Sequence, residues 1–203
     1  MLIVPELSAI FIFPPRTGSD TLLVELMRKF PNAFLPYRHA EADCVPAGYE
    51  NWRKIGFVRH PLARLWSLYK YCAILADRED VVDQLKPDVD RVAKSVQGIE
   101  FEDWVRNNTS LFLPADSPYP ILYQRHHVPE TRKSQEIYLR PDLGTVVLRF
   151  QDLPEHMAAW GLDATRKNGA TPPVPCPKPS KALQKHMKKY FAWDMAFPDL
   201  EVL

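Results

Sequence analysis

Glycine and cysteine are scarce in this chain, and long apolar runs and a charge excess are missing altogether. Seven glycines among 203 residues leave no room for a glycine-repeat or glycine-rich low-complexity architecture. Cys44, Cys72 and Cys176 are odd in number and widely spaced, without a Cys-x-x-Cys pair or a Cys/His cluster of zinc-finger type, which fits thiols kept reduced and no metal site. His126 and His127 are adjacent, so they lack the i, i+4 geometry that lets two histidines share an ion. No segment reaches the roughly 18 apolar residues of a membrane span. Met1 to Phe13 has neither a basic leader region nor a small-residue cleavage site, and the expectation is a cytoplasmic protein. Lys+Arg 26 against Asp+Glu 25 gives a net charge of +1, too little field to gather nucleic acid or a membrane surface. Any bound anion must therefore be held by a local site.

What the chain does have is 46% hydrophobic and 25% charged residues, the balance of a folded domain rather than of disorder. Its length fits one domain, residues 1–203. Twenty prolines concentrate in stretches such as Pro114 to Pro120 and Pro172 to Pro179, where a fixed φ stiffens irregular paths.

Met1 to Phe13 reads as the first strand, centred on the buried run Ala9 to Phe13 and closed by Pro14-Pro15. From Thr21 the apolar period changes to that of a helix, through Leu22, Leu23, Leu26, Met27 and Phe30, ending at Pro31. Phe34 to Arg38 is a possible second strand, and Lys54 to Arg59 a stronger third. Leu62, Leu65, Trp66, Tyr69, Cys72, Ala73 and Ala76 then form a broad helical face, with Pro61 tolerated in its first turn. A helical insert is expected at about 77–110, including a short helix from Phe101 to Val105. Val146 to Phe150 is another strand, followed by a helix from Leu153 to Trp160. A Pro/Lys-rich loop at about 165–181 precedes a last amphipathic helix from Ala182 to Trp193. Strands alternating with helices predict an α/β fold of three layers, a central, mostly parallel sheet flanked by helices, with ligands at the carboxyl ends of its strands.

Two segments carry chemistry. Arg16-Thr17-Gly18-Ser19-Asp20-Thr21 joins the first strand to the first helix, and a turn of this kind aims backbone N–H groups and the positive helix end at one point that suits phosphate or sulfate. It lacks the second glycine and the lysine of a Walker A loop, which weighs against a nucleotide-dependent kinase. The plainer reading is a strand-to-helix turn with Ser19 or Asp20 as the helix cap. The other segment, Val58-Arg59-His60-Pro61, leads through Arg64 and Leu65 to Ser67 and Tyr69. Arg59 at a strand end and Ser67 roughly 9 Å along the next helix offer a forked cation and a hydroxyl to a terminal phosphate. A sheet-edge arginine and an ordinary helical serine are the alternative.

Together these segments resemble the phosphosulfate loop and the 3′-phosphate motif of sulfotransferases that use 3′-phosphoadenosine-5′-phosphosulfate (PAPS), in the carbohydrate-type and bacterial branch. Two fainter likenesses follow in the family's order, Leu148-Arg149-Phe150-Gln151-Asp152-Leu153 and Tyr190 to Phe197. The resemblance implies a P-loop-like turn binding PAPS through Arg16, Thr17, Gly18, Ser19, Asp20, Thr21, Arg59 and Ser67. It also implies sulfuryl transfer to a hydroxyl of a carbohydrate or small-molecule acceptor, without a metal. Arg16 stands where the family has lysine and would stabilise developing charge without donating a proton. His39, in His39-Ala40-Glu41-Ala42, is the expected general base, with Glu41 and Asp43 as substitutes. Asp20 departs from the family's small residue, and a carboxylate there repels the donor unless it turns away or caps its own helix. A protein that binds PAPS or its product (PAP) without transferring is the alternative that this departure raises. Lys178, Lys181, Lys185, Lys188 and Lys189 read as a solvated face, or as a flap over the donor or a landing strip for an anionic acceptor.

Overall fold

The computed structural model describes residues 1–76, 94–109, 125–165 and 175–197. The chain divides into two compact units, one made of Met1–Arg59, Ile121–Arg125 and Gln135–Gly169, the other of His60–Pro120, His126–Ser134 and Ala170–Leu203. Most of the expected insert at 77–110 and of the loop at 165–181 lies outside the described residues.

The first unit is a mixed α/β fold on a four-stranded sheet, β1 (Leu2–Val4), β2 (Ala9–Ile12), β3 (Arg53–Val58) and β4 (Val146–Arg149), in that spatial order. β1 runs antiparallel to β2, while β2 with β3 and β3 with β4 are parallel. The expected single strand from Met1 to Phe13 is thus two. Pro5–Leu7 forms a tight turn and Ser8 takes a left-handed φ of 46°, folding the run back on itself; proline supplies no ladder donor there. The strand expected at Phe34 to Arg38 reduces to one bridge, Phe34 to Ile3, because Pro36 lacks the N–H that pairing needs.

Alternation along the strands sorts the two faces. Leu2, Val4, Ala9, Phe11, Phe13, Ile55 and Phe57 face a core shared with α1 (Ser19–Lys29), through Leu22, Leu23 and Leu26, and with α5 (Leu153–Ala159), through Leu153 and Met157. On the opposite face Gly56 lies directly against Leu139 of α4 (Gln135–Leu139), a five-residue helix too short for periodicity to show. Helices therefore cover both faces within this unit.

The second unit is helical among its described residues. α2 (Pro61–Ala76), α3 (Phe101–Asn107) and α6 (Lys181–Tyr190) share a core of Leu62, Leu65, Leu68, Cys72, Phe101, Trp104, Val105, Leu183, Met187 and Phe191. The last helix was expected to run to Trp193; it stops at Tyr190 and resumes as α7 (Ala192–Met195) after Phe191 leaves helical geometry at φ −128°, ψ 28°. Arg64 is fully buried here, its guanidinium 2.9 Å from Glu130 and donating to the Lys133 carbonyl at 2.8 Å. Asp194, also buried, accepts from the Ser134 hydroxyl at 2.5 Å. No helix among the described residues is long and apolar enough to cross a membrane.

Candidate functional site

Three parallel strands deliver their carboxyl ends to one edge of the sheet in the first unit, and Arg16–Thr21, His39 and Arg59 lie there while Ser67 does not. The turn after β2 contains two left-handed residues, Arg16 at φ 68° and Gly18 at φ 79°. An arginine in this region costs roughly 1 to 2 kcal/mol, the kind of strain that collects at working sites. Thr17 is buried and spends its hydroxyl on the Pro14 carbonyl at 2.8 Å, so it shapes the turn. Gly18 is obligatory twice over: a Cβ there would lie 2.5 Å from Leu153 Cδ2 and 2.8 Å from Phe150 Cε2. Gly18 also takes the cap position of α1, with no side-chain capping bond. Neither Ser19 nor Asp20 is the cap, because the helix already begins at Ser19; both sit in its first turn with Thr21, where backbone amides lack intrahelical acceptors.

Asp20 forms an ion pair with Arg38. Its carboxylate is thereby compensated by a neighbouring cation and does not cap α1, whose cap position Gly18 holds.

Arg59 follows β3 directly. Its Nη1 donates to the Arg16 carbonyl at 3.2 Å, and its guanidinium lies 4.9 Å from the centre of the Phe150 ring, within cation–π range. Both motif segments and Phe150, directly after β4, thus meet around one arginine. Sequence reasoning missed the residue that holds this arginine's backbone. Gln135, fully buried at the start of α4, accepts from Arg59 N at 3.0 Å and donates to Arg59 O at 2.7 Å. A lone glutamine in an unrecognised short helix carried no signal.

His39 reaches the same strand end from another direction, its Nδ1 2.8 Å from the Phe13 carbonyl. A carbonyl can only accept, so Nδ1 carries the proton and Nε2 is the basic nitrogen of the neutral ring. Burial pushes the imidazole pKa down to about 3, with the charges of Arg38 and Arg16 acting the same way against the bond to Phe13. His39 is neutral at physiological pH and a weak base until negative charge arrives beside it.

The two substitute bases are otherwise engaged. Glu41 is buried and accepts from the Arg125 amide at 3.0 Å; Asp43 pairs with Arg140 at 2.8 Å. Glu41, Asp43 and Cys44 bring possible ligand atoms within 4.8 Å of one another. Burial, with Asp43 and Glu41 adding, pushes the Cys44 thiol up to about 12, so it stays protonated, and Arg140 already supplies a cation to the group.

Ser67 belongs to the second unit, half-buried on α2. His60 shapes the start of that helix, its Nδ1 accepting from the Leu62 amide at 3.3 Å. Tyr138 is fully buried, and Trp66 stacks on Tyr69 with ring centres 5.6 Å apart.

No family model matches the chain, and no curated protein or solved structure matches it either.

Proposed function

We propose that this protein is a PAPS-dependent sulfotransferase acting on a hydroxyl of a carbohydrate or small-molecule acceptor in a cytoplasmic setting. The observation that carries the reading is the meeting of Arg59 with the Arg16–Thr21 turn, a forked cation bonded to the turn that opens α1. First-turn amides and the helix dipole suit the 5′-phosphosulfate, and the permanent charge of Arg59 beside them suits the donor's second anionic group. In this reading the turn from Arg16 to Thr21 is P-loop-like, and Thr17 and Gly18 fix its shape. Ser19, Asp20 and Thr21 offer backbone donors, and Arg59 holds the 3′-phosphate.

Transfer then needs little covalent chemistry from the protein. The acceptor oxygen bonds to sulfur while the sulfur–oxygen bond to the 5′-phosphate breaks, its electron pair leaving with PAP. The acceptor proton passes to His39 Nε2. Arg16 stabilises the charge that grows on the leaving oxygen, electrostatically, since arginine keeps its protons. The donor's own negative charges raise the basicity of His39 from its depressed level, so the base strengthens when the substrate is in place.

That depressed level also favours a second reading, a protein that binds PAPS or PAP without transferring, in which His39 stays neutral throughout. Isothermal titration with PAP and ATP, on the protein and its Arg59→Ala variant, tests the binding common to both. PAP should bind, ATP should bind much more weakly, and Arg59→Ala should cost roughly ten-fold or more, the worth of a charged hydrogen bond. No PAP binding at millimolar ligand refutes both readings. An acceptor screen with His39→Asn separates them: only the enzyme loses turnover.

A further inference from the structure

The second unit contains a cleft that takes no part in the site above. Its volume is about 350 Å³, at the lower end of small-molecule pockets, roughly 300 to 1,000 Å³. Leu62 and Met187 form a buried floor, and Met195, Pro177 and Pro179 add apolar wall. Two methionines give such a wall an adaptable shape.

Lys178, Lys188, Gln184, His60 and the Cys176 thiol line the cleft, and among the described residues no acidic side chain does. His60 Nδ1 accepts from the Leu62 amide, so the neutral ring carries its proton on Nε2 and presents a donor. Burial lowers the pKa of His60, in keeping with that neutral form. An apolar bed rimmed by two cations and a neutral N–H donor complements one chemical class.

We infer that this cleft binds a small amphipathic anion, a compact apolar body with a single carboxylate, sulfate or sulfonate group held between Lys178 and Lys188. The apolar body displaces water from Leu62, Met187 and Met195, while the lysines select for charge at the rim. A dianion without apolar surface gains only the rim, and a neutral hydrocarbon only the floor.

The probe is anilinonaphthalene sulfonate, titrated by fluorescence against the folded chain, with N-phenylnaphthylamine as its neutral counterpart. One probe should bind per chain, and the neutral compound should bind several-fold less tightly. Lys178→Gln with Lys188→Gln should weaken the sulfonate roughly five-fold, as expected for two exposed charge contacts, and leave the neutral compound unchanged. Met195→Trp, on a residue 40% exposed, should plug the cleft and abolish binding; Gln184→Trp is a second plug should the first disturb folding by circular dichroism. Equal affinity for the neutral compound, indifference to the lysine changes, binding that survives both plugs, or no saturable binding would each overturn the inference.

Discussion

Replacing Gly18 with alanine tests the packing logic of the site more directly than removing any charged group. Two costs add. The φ of 79° puts a Cβ residue in the left-handed region, worth about 1 to 2 kcal/mol. The new methyl group also lies 2.5 Å from Leu153 Cδ2 and 2.8 Å from Phe150 Cε2, and Leu153 belongs to the packed core, so overpacking adds about 1 to 3 kcal/mol. The expected total is about 2 to 5 kcal/mol. Gly48 separates the two contributions: its φ is 91° but nothing lies within 4 Å of a Cβ built there, so Gly48→Ala should cost the backbone part alone. Urea unfolding followed by far-UV circular dichroism gives the stabilities, and hydrogen exchange in β2 and α1 shows where the loss falls. Because Phe150 also lies beneath the Arg59 guanidinium, displacing its ring should weaken PAP binding in Gly18→Ala and not in Gly48→Ala. If the two variants lose the same stability, the close packing of Gly18 on Phe150 and Leu153 is not an energetic constraint.

Two further outcomes follow from groups already described. His39 has its pKa lowered to about 3 in the folded protein against roughly 6.5 unfolded, so the unfolded chain binds the extra proton between these values. The stability His39 contributes is then complete above about pH 6.5 and is lost as pH falls toward 3, with a slope approaching 1.4 kcal/mol per pH unit; His39→Gln should remove that slope from urea midpoints measured between pH 4 and 7, and an unchanged profile would count against the buried neutral ring. Gln135→Leu should destabilise the first unit by about 1 to 3 kcal/mol, since it removes both bonds to the half-buried N–H and C=O of Arg59, and PAP affinity by titration should fall with it; retention of both would show that Arg59 needs no such clamp.

The long, regularly patterned elements were legible from sequence. α1 and α2 announce themselves by apolar spacing, and β2, β3 and β4 by short β-branched and aromatic runs bounded by turn residues. The shortest elements were not. β1 has three residues and α4 five, below the length at which either period can be counted. The turn at Arg16–Thr21 and the arginine at the end of β3 could be read because local chemistry marks them. The Asp20–Arg38 pair, the ring of Phe150 beneath Arg59 and the Gln135 clamp depend on contacts between residues far apart in the chain, which no local pattern encodes.

The bonds of Gln135 to both backbone groups of Arg59 make its carboxamide a counterfeit strand, one peptide unit long, laid where the sheet runs out. A carboxamide presents the same donor and acceptor as a peptide group, so Arg59 is paired as if β3 continued, yet its side chain is released to turn toward the Arg16 carbonyl. Asparagine carries the same group on a stem one carbon shorter, ionised glutamate lacks the donor, and hydrophobic residues lack both. Position 135 therefore has an alphabet of one letter, although nothing in its neighbourhood of sequence would mark it as anything but a helix start.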